Sequence, residues 1–418
     1  MVLNIFLAFN YHSHAPRFSY HGALWADRAG YFIYLPATFQ YGFQASDFPI
    51  GLDTLTGNGF ALDDPLNVVR TKYTSGVAIL QAPIYILAHT VSSLGGHSEE
   101  AFGDVDHLVV TIAGPLFASL GLLFLFGSMR DRFSQGTSLL LLFVTYAGSN
   151  LFFYTVGDPG MSHVYSFFLF AAYIALQRHI NKTKGGSVCT SILLGSVIGL
   201  ILLIRPTNLV FLLAAPFYAA GSWMDVRQRI EILLKPSRIL IVVTCAVLVW
   251  LPQLMYWKHA YGSMLIWPYS GEGFSGWASP KLLLFWLSTN NGLFPYSPIY
   301  FFALVGAVLL WRMGQRPFAA SVLLAFLATS YLGASWWVWH FGCSFGSRTL
   351  VEYMALFPFA IGALYEKIRI RWGHALSAGI LLLLVVLELK LIYSYGNCWF
   401  EGDWNWTAFS HLLFGPTK

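Results

Sequence analysis

Apolar runs that approach or exceed the roughly 18 residues needed to cross a bilayer as a helix recur along almost the whole of this 418-residue chain. Examples are 107–129 (HLVVTIAGPLFASLGLLFLFGSM), 188–204, 237–257 and 374–387. Charged residues make up 10% of the chain, against about a quarter in a soluble globular protein, and the mean hydropathy is +0.60. A membrane β-barrel would be written in short alternating segments instead. The expectation is an all-α, polytopic transmembrane bundle of about 10–12 spans.

The charges orient it. Five short connectors hold Arg130 and Arg132; Arg178, Lys182 and Lys184; Arg227, Arg229, Lys235 and Arg238; Arg312 and Arg316; and Lys367, Arg369 and Arg371. Those are 14 of the 24 basic residues, accompanied by four of the 19 acids, Asp131, Asp225, Glu231 and Glu366. The positive-inside rule assigns these connectors to the cytoplasm and the acidic loops to the outside. Alternate connectors obey the rule if 107–129 runs from outside to inside. Residues 12–106 then form a long first extracytoplasmic loop, and 259–296 a second. Within the first, GVAILQAPIYILA (76–88) is short for a span and reads as an interfacial helix.

The amino-terminal MVLNIFLAF is too short to cross a membrane, so the first span is stunted or the chain begins within a longer helix. No signal-peptide cleavage pattern is evident. About ten spans follow from 107 onward, with Arg205-Pro206 dividing 188–222 into a tight helical hairpin. A single transmembrane domain of 1–418 is expected, without a separate soluble domain and with the tail after 396 outside. Cys189 and Cys245 sit in or beside apolar runs, where a small buried hydrophobe is the ordinary reading. Cys343 and Cys398 fall outside, and a disulfide between them is left open.

Polar groups at or near membrane depth are costly and mark pathways or sites. Five constellations qualify, all on the outer face by this topology. Asp27-Arg28 precedes AGYFIYLP. Asp27 reads either as an acid favoured at a helix start or as a carboxylate able to take a proton from an incoming hydroxyl. GDPGMSHVYSFF (157–168) brings Asp158 and His163, as turn and cap chemistry or as an acid/base pair. LLIRPTNLVF (202–211) interrupts an apolar segment with Arg205. That arginine either snorkels to the interface or grips a phosphate with two parallel hydrogen bonds. WLSTNNGLFPYSP (286–298), with Asn290, carries a turn signal and follows a loop holding Lys258, His259, Glu272 and Lys281. SWWVWHFGCSFGSRTLVEY (335–353) sets Arg348 and Glu352 one helical turn apart behind three tryptophans. This is an aromatic belt with an ion pair or a second phosphate grip beside stacking rings. Walker A, GxGxxG, HExxH and GxSxG patterns are absent, which removes support for ATP-driven transport and zinc proteolysis. No duplicated halves suggest an inverted-repeat transporter.

ADRAGYFIYLPATF (26–39), VRTKYTSGVAILQAPIYILAH (69–89), DPGMSHVYSFFLFA (158–171), LIRPTNL (203–209), NNGLFPYSP (290–298) and SFGSRTLVEY (344–353) follow one another through most of the chain. In that order they resemble the C-type glycosyltransferase superfamily (GT-C), integral-membrane enzymes that take a sugar from a polyprenyl-phosphate carrier. The likeness is to bacterial members related to protein O-mannosyltransferases and lipid A aminoarabinose transferases. The resemblance implies Asp27 as general base and Asp158 as a second catalytic acid. Lys72, Arg205 and Arg348 would hold the carrier phosphate, and Tyr73, His163, Asn290 and Glu352 would join them in binding substrate. The stunted first span and the lack of a large outer domain depart from the family pattern, so acceptor recognition falls to the loops.

On this likeness the expected activity is inverting transfer to an acceptor hydroxyl of a glycan, lipid or protein at the extracytoplasmic face of a bacterial plasma membrane. The partners would be a polyprenyl-phosphate-linked sugar, that acceptor and membrane lipids, with no nucleic acid. No cofactor is required, although the acids of the first loop leave room for a divalent metal. The rival reading is a transporter or flippase for a lipid-linked saccharide.

Overall fold

The computed structural model describes residues 1–63, 65–96, 100–269, 271–395 and 402–415. The chain is predominantly helical. Its main helices are α1 (Val2–Ser13), α2 (Asp27–Phe32), α3 (Gly76–Leu94), α4 (Asp104–Met129), α5 (Gln135–Ala147), α6 (Ser162–Lys182), α7 (Val188–Ile204) and α8 (Leu209–Ala214). They continue as α9 (Trp223–Leu233), α10 (Pro236–Tyr261), α11 (Ile299–Arg312), α12 (Arg316–Ser335), α13 (Pro358–Trp372), α14 (His374–Ser394) and α15 (Trp406–Phe414). One antiparallel pair, β1 (Ala61–Asp63) and β2 (Val68–Arg70), joins Ala61 to Arg70, Leu62 to Val69 and Asp63 to Val68. The all-α expectation holds, and the chain is an integral membrane protein.

Five helices among the described residues are long and apolar enough to cross a bilayer unaided: α3, α4, α10, α12 and α14. The other apolar helices are shorter than the sequence reading of full spans implied, because the chain breaks within them. Gly148 ends α5 before a further short helix over Leu151–Val156. The extended backbone of Arg205 (φ −153°, ψ 118°) and the following Pro206 end α7. The break at Arg205-Pro206 is where the sequence put it, but α8 packs chiefly against α12 rather than folding back along α7. Helix α1, with 12 residues, spans about 18 Å, short of the roughly 30 Å hydrocarbon layer.

Close helix pairing supplies much of the bundle's packing, as in membranes generally, where small residues let backbones approach. Helix α4 lies along α6, α7 along α10, and α11 along α13. In the last pair a Cβ on Gly306 would sit 2.1 Å from the Ala360 carbonyl oxygen.

Helix α3 is 19 residues long, six more than the apolar stretch that suggested it. The length objection to its crossing a membrane therefore falls, yet its contacts run across one end of the bundle. Gly76 meets Ile204 at the carboxyl end of α7. The Gln81 amide donates to the Tyr165 hydroxyl in the first turn of α6 (2.7 Å), and His89 bonds Asp106 in the first turn of α4 (2.7 Å). Over this end the segment 23–102 builds its own apolar core. Leu24, Phe32, Phe60, Tyr85 and Phe102 meet Val109 of α4 and Trp257 of α10 there. The β-hairpin ties it down, since Arg70 pairs with Asp63 (2.8 Å) and donates to the Ala260 carbonyl (3.1 Å).

Candidate active site

Under that folded segment lies a cavity of about 480 Å³. Seven of the nine residues singled out from sequence line it: Asp27, Lys72, Tyr73, His163, Arg205, Arg348 and Glu352. They come from five separate stretches of chain, brought together where α6 begins, α7 ends and α12 gives way to the 336–347 connector.

Asp27 is the first residue of α2, and the backbone in front of it is forced. Ala26 has φ 49° and ψ −119°, a region that costs a non-glycine residue about 1–3 kcal/mol. The conformation is held by its N–H donating to the Thr56 carbonyl (2.8 Å) and by its carbonyl accepting from Gly30 (3.0 Å). Gly59 makes room, because a Cβ there would lie 1.9 Å from the Ala26 oxygen. Arg28, only 5% exposed, anchors the same turn by donating to Asp158 Oδ1 (2.7 Å), the Tyr20 carbonyl (2.5 Å) and the Trp25 carbonyl (3.2 Å).

Asp27 consequently points a fixed carboxylate at the cavity. Its Oδ1 accepts from the Tyr73 hydroxyl, and its Oδ2 accepts from Arg348 Nη2 at 3.3 Å. A third of its side-chain surface, 33%, stays open. Burial alone would raise its pKa, but Arg348, the Tyr73 hydroxyl and Lys72 outweigh burial and hold it below the ordinary carboxylate value. Burial and the adjacent Asp27 push the Tyr73 hydroxyl well above its usual pKa, so Tyr73 keeps its proton and donates.

The cations are each met by an acid. Lys72 pairs with Glu272 (2.6 Å) and lies 5.6 Å from the ring centres of Tyr73 and Tyr269. Arg205 reaches Glu352 Oε1 at 3.2 Å, and His163 Nδ1 meets the other oxygen at 3.0 Å. Arg348 also sits over the Phe341 ring at 5.4 Å. Three cations facing three carboxylates in one chamber make a site whose pairs an incoming anion would have to exchange.

Two expectations do not come to the cavity wall. Asp158 stands one layer behind it, paired with Arg28, so its contact is with the residue after Asp27 rather than with the chamber. Burial raises its pKa, and Arg28 and Arg348 offset part of that rise. Asn290 is buried in a turn whose neighbour Thr289 bonds Asp403 (3.0 Å); there the turn signal was the operative one. Sequence reading also missed lining residues. Glu272 was noticed only as a loop charge, although a lone acid within WPYSGEGFSGW was its signal. Tyr31, Tyr269, Trp267 and Trp336 line the chamber without a polar motif to mark them.

Among the described residues, no group of three or more His, Cys, Asp and Glu side chains converges as a metal site would require. Cys343 is disulfide-bonded, whereas Cys398 lies outside the described residues.

No protein-family model and no curated protein matches the sequence. Solved structures do. The archaeal oligosaccharyltransferase AglB from Archaeoglobus fulgidus, in complex with an inhibitory peptide and a dolichol-phosphate, matches with a TM-score of 0.50 and 12% identity over 100% of this chain and 56% of its own. The Archaeoglobus fulgidus oligosaccharyltransferase in complex with Zn and sulfate matches with a TM-score of 0.52 and 13% identity over 100% of this chain and 57% of its own. This chain thus spans a little over half the length of the structures it matches. At such identity the likeness is one of fold: the all-α membrane bundle expected from sequence is shared with these oligosaccharyltransferase structures.

Proposed function

We propose that the chain is an inverting glycosyltransferase that moves a sugar from a polyprenyl-phosphate carrier to an acceptor hydroxyl. The observation that carries this reading is the convergence of the partly open Asp27 carboxylate with Lys72, Arg205 and Arg348 in a single aromatic-lined chamber. The dolichol-phosphate bound by one fold neighbour adds support, being a lipid phosphate of the class these cations would grip.

The chemistry follows from the geometry. Lys72, Arg205 and Arg348 exchange their carboxylates for the donor phosphate, and Arg205 and Arg348 offer it paired N–H donors. Asp27 accepts the acceptor's hydroxyl proton as that oxygen forms a bond to the anomeric carbon. The bond from that carbon to the phosphate oxygen breaks on the opposite side, so the configuration inverts. The phosphate leaves with the electron pair and needs no proton, because preorganised positive charge stabilises it. One carboxylate therefore suffices, unlike the flanking pair of a glycoside hydrolase. No step here runs through a divalent cation.

Sidedness rests on two observations. The basic connectors lie at the helix ends opposite the cavity, which by the positive-inside rule turns the cavity away from the cytoplasm. The disulfide-bonded Cys343 is at the cavity end, and the free, exposed Cys189 begins α7 at the other. Disulfides persist on the oxidising side of a membrane. On this reading 12–106 and 259–296 are extracytoplasmic, and α3 lies in the interface.

Mass spectrometry of glycoconjugates from cells carrying the wild-type chain, Asp27→Asn, or neither tests the proposal. A glycan that disappears in both altered strains is expected. Loss of a general base costs about 10²–10⁴ in rate, and a normal product with Asp27→Asn would remove Asp27 from the role.

A further inference from the structure

A second cavity, of about 540 Å³, lies at the opposite end of the bundle. It opens between the connector after α6, helix α9 and the start of α10, and is lined by Lys184, Arg229 and Lys235 with Asp225 and Glu231 among others. Helix α10 runs from this end at Pro236 to the first cavity at Trp257, roughly 32 Å at 1.5 Å per residue.

Its charges are unbalanced in a specific way. Of the two lining carboxylates Glu231 is paired, and Asp225 keeps its charge and offsets part of that of Arg229, so three cations face one uncompensated acid. Asp225 Oδ2 accepts from the backbone N–H of Gly221 (2.9 Å) and Ser222 (3.0 Å), and Glu231 pairs with Arg227 (2.8 Å). Among the described residues none of Lys184, Arg229 and Lys235 makes an ion pair with a carboxylate. Arg229 donates instead to the carbonyls of Tyr218 and Pro216, which satisfies its hydrogen bonds without cancelling its charge. Behind them Arg238 is 8% exposed, its Nε has no partner among the described residues, and its guanidinium rests against Gly185. Among the described residues Arg238 too bonds only a carbonyl, that of Ile232 (3.2 Å).

Helix α9 sets the depth of this pocket. Asp225, Gln228, Arg229 and Ile232 follow the i, i+3, i+4, i+7 spacing of one helical face, and that face lines the cavity. Trp223, Ile230 and Leu234 lie along another side and are 54%, 38% and 57% exposed. An exposed apolar stripe on a short helix whose other faces are charged is the pattern of a helix lying in the bilayer interface. A pocket on the same helix is then at headgroup level.

We infer that this pocket is a binding site for the phosphate of an anionic glycerophospholipid. Lys184, Arg229 and Lys235 take the phosphate oxygens, Arg238 adds charge from behind, and the stripe of α9 meets the acyl region. The inference rests on the membrane-protein fold and is independent of the proposed transfer.

Native mass spectrometry of the full chain, released from micelles carrying equal phosphatidylglycerol and phosphatidylcholine, reads the site directly. One phosphatidylglycerol retained at least tenfold over phosphatidylcholine is expected. Lys184→Ala with Lys235→Ala should cut that preference about tenfold, and Lys235→Gln alone about threefold with the thermal midpoint unchanged. Equal retention of the two lipids, or a preference untouched by both variants, would overturn the assignment. So would saturable binding of inorganic phosphate that the double variant abolishes, without any lipid preference, since the ligand would then be a soluble phosphate.

Discussion

At the scale of single residues, the reading turns on how Asp27 and the cations around it are paired. Because Arg348, Tyr73 and Lys72 more than offset burial, Asp27 binds its proton less readily than a free aspartate. The sign follows: the ionised form, and the stability its pairing contributes, persists above the ordinary value near 4 and is lost only as pH falls through the lowered one. Difference infrared spectra of wild type against Asp27→Asn should still show a carboxylate at pH of about 4.5; a protonated Asp27 there would contradict the assigned surroundings. On the proposed function, Glu272 would compete with a donor phosphate for Lys72. The pair is partly exposed, 33% and 26%, which limits its worth to about 0.2–1 kcal/mol. Glu272→Gln should therefore lower the donor KM by up to about fivefold, measured in steady-state kinetics, and an increase would mean that Glu272 contacts the donor favourably. Asp27, Arg205 and Arg348 stood out in sequence as charges in an apolar chain, each with a bland reading beside the functional one, whereas Lys72 came only through the family resemblance. Glu272, Tyr31 and Tyr269 did not stand out, because what makes them site residues is where the fold carries them.

Elements explain why the charges converge. The turn before α2 is shaped by contacts with residues 56 and 59, thirty or so positions away, and no local pattern announces that. Gly59→Ala would push on the Ala26 carbonyl and displace Asp27. A displacement of about 1 Å costs on the order of 10²-fold in rate, so kcat should fall while donor KM stays within twofold; an unchanged kcat would show the turn to be slack. Helix α3 teaches the reverse lesson. Its apolar run was visible, but its true length and its course across the bundle end depend on Gln81, His89 and their partners on α6 and α4. Proline and Arg205 marked the end of α7 correctly, since Pro206 cannot continue a helix, whereas the packing of α8 on α12 could not be read from local sequence.

For the whole molecule, the all-α class was legible in the long apolar runs, and the proposed sidedness rests on where the basic connectors fall. The native thiols test that sidedness without introduced cysteines. A membrane-impermeant maleimide should label Cys189 in inside-out vesicles and leave it unlabelled in intact cells; the reverse pattern would turn the cavity toward the cytoplasm. The two cavities lie at opposite ends of the bundle, one holding Asp27 among paired charges and the other lined by Lys184, Arg229 and Lys235 with two acids. The most direct test of the central claim is release of free polyprenyl phosphate from a polyprenyl-phosphate sugar by the purified chain in detergent. Acceptor-dependent release by the wild type and about 10²-fold or greater loss with Asp27→Asn is the predicted result. No release across a panel of sugars, or equal release by the variant, would contradict it.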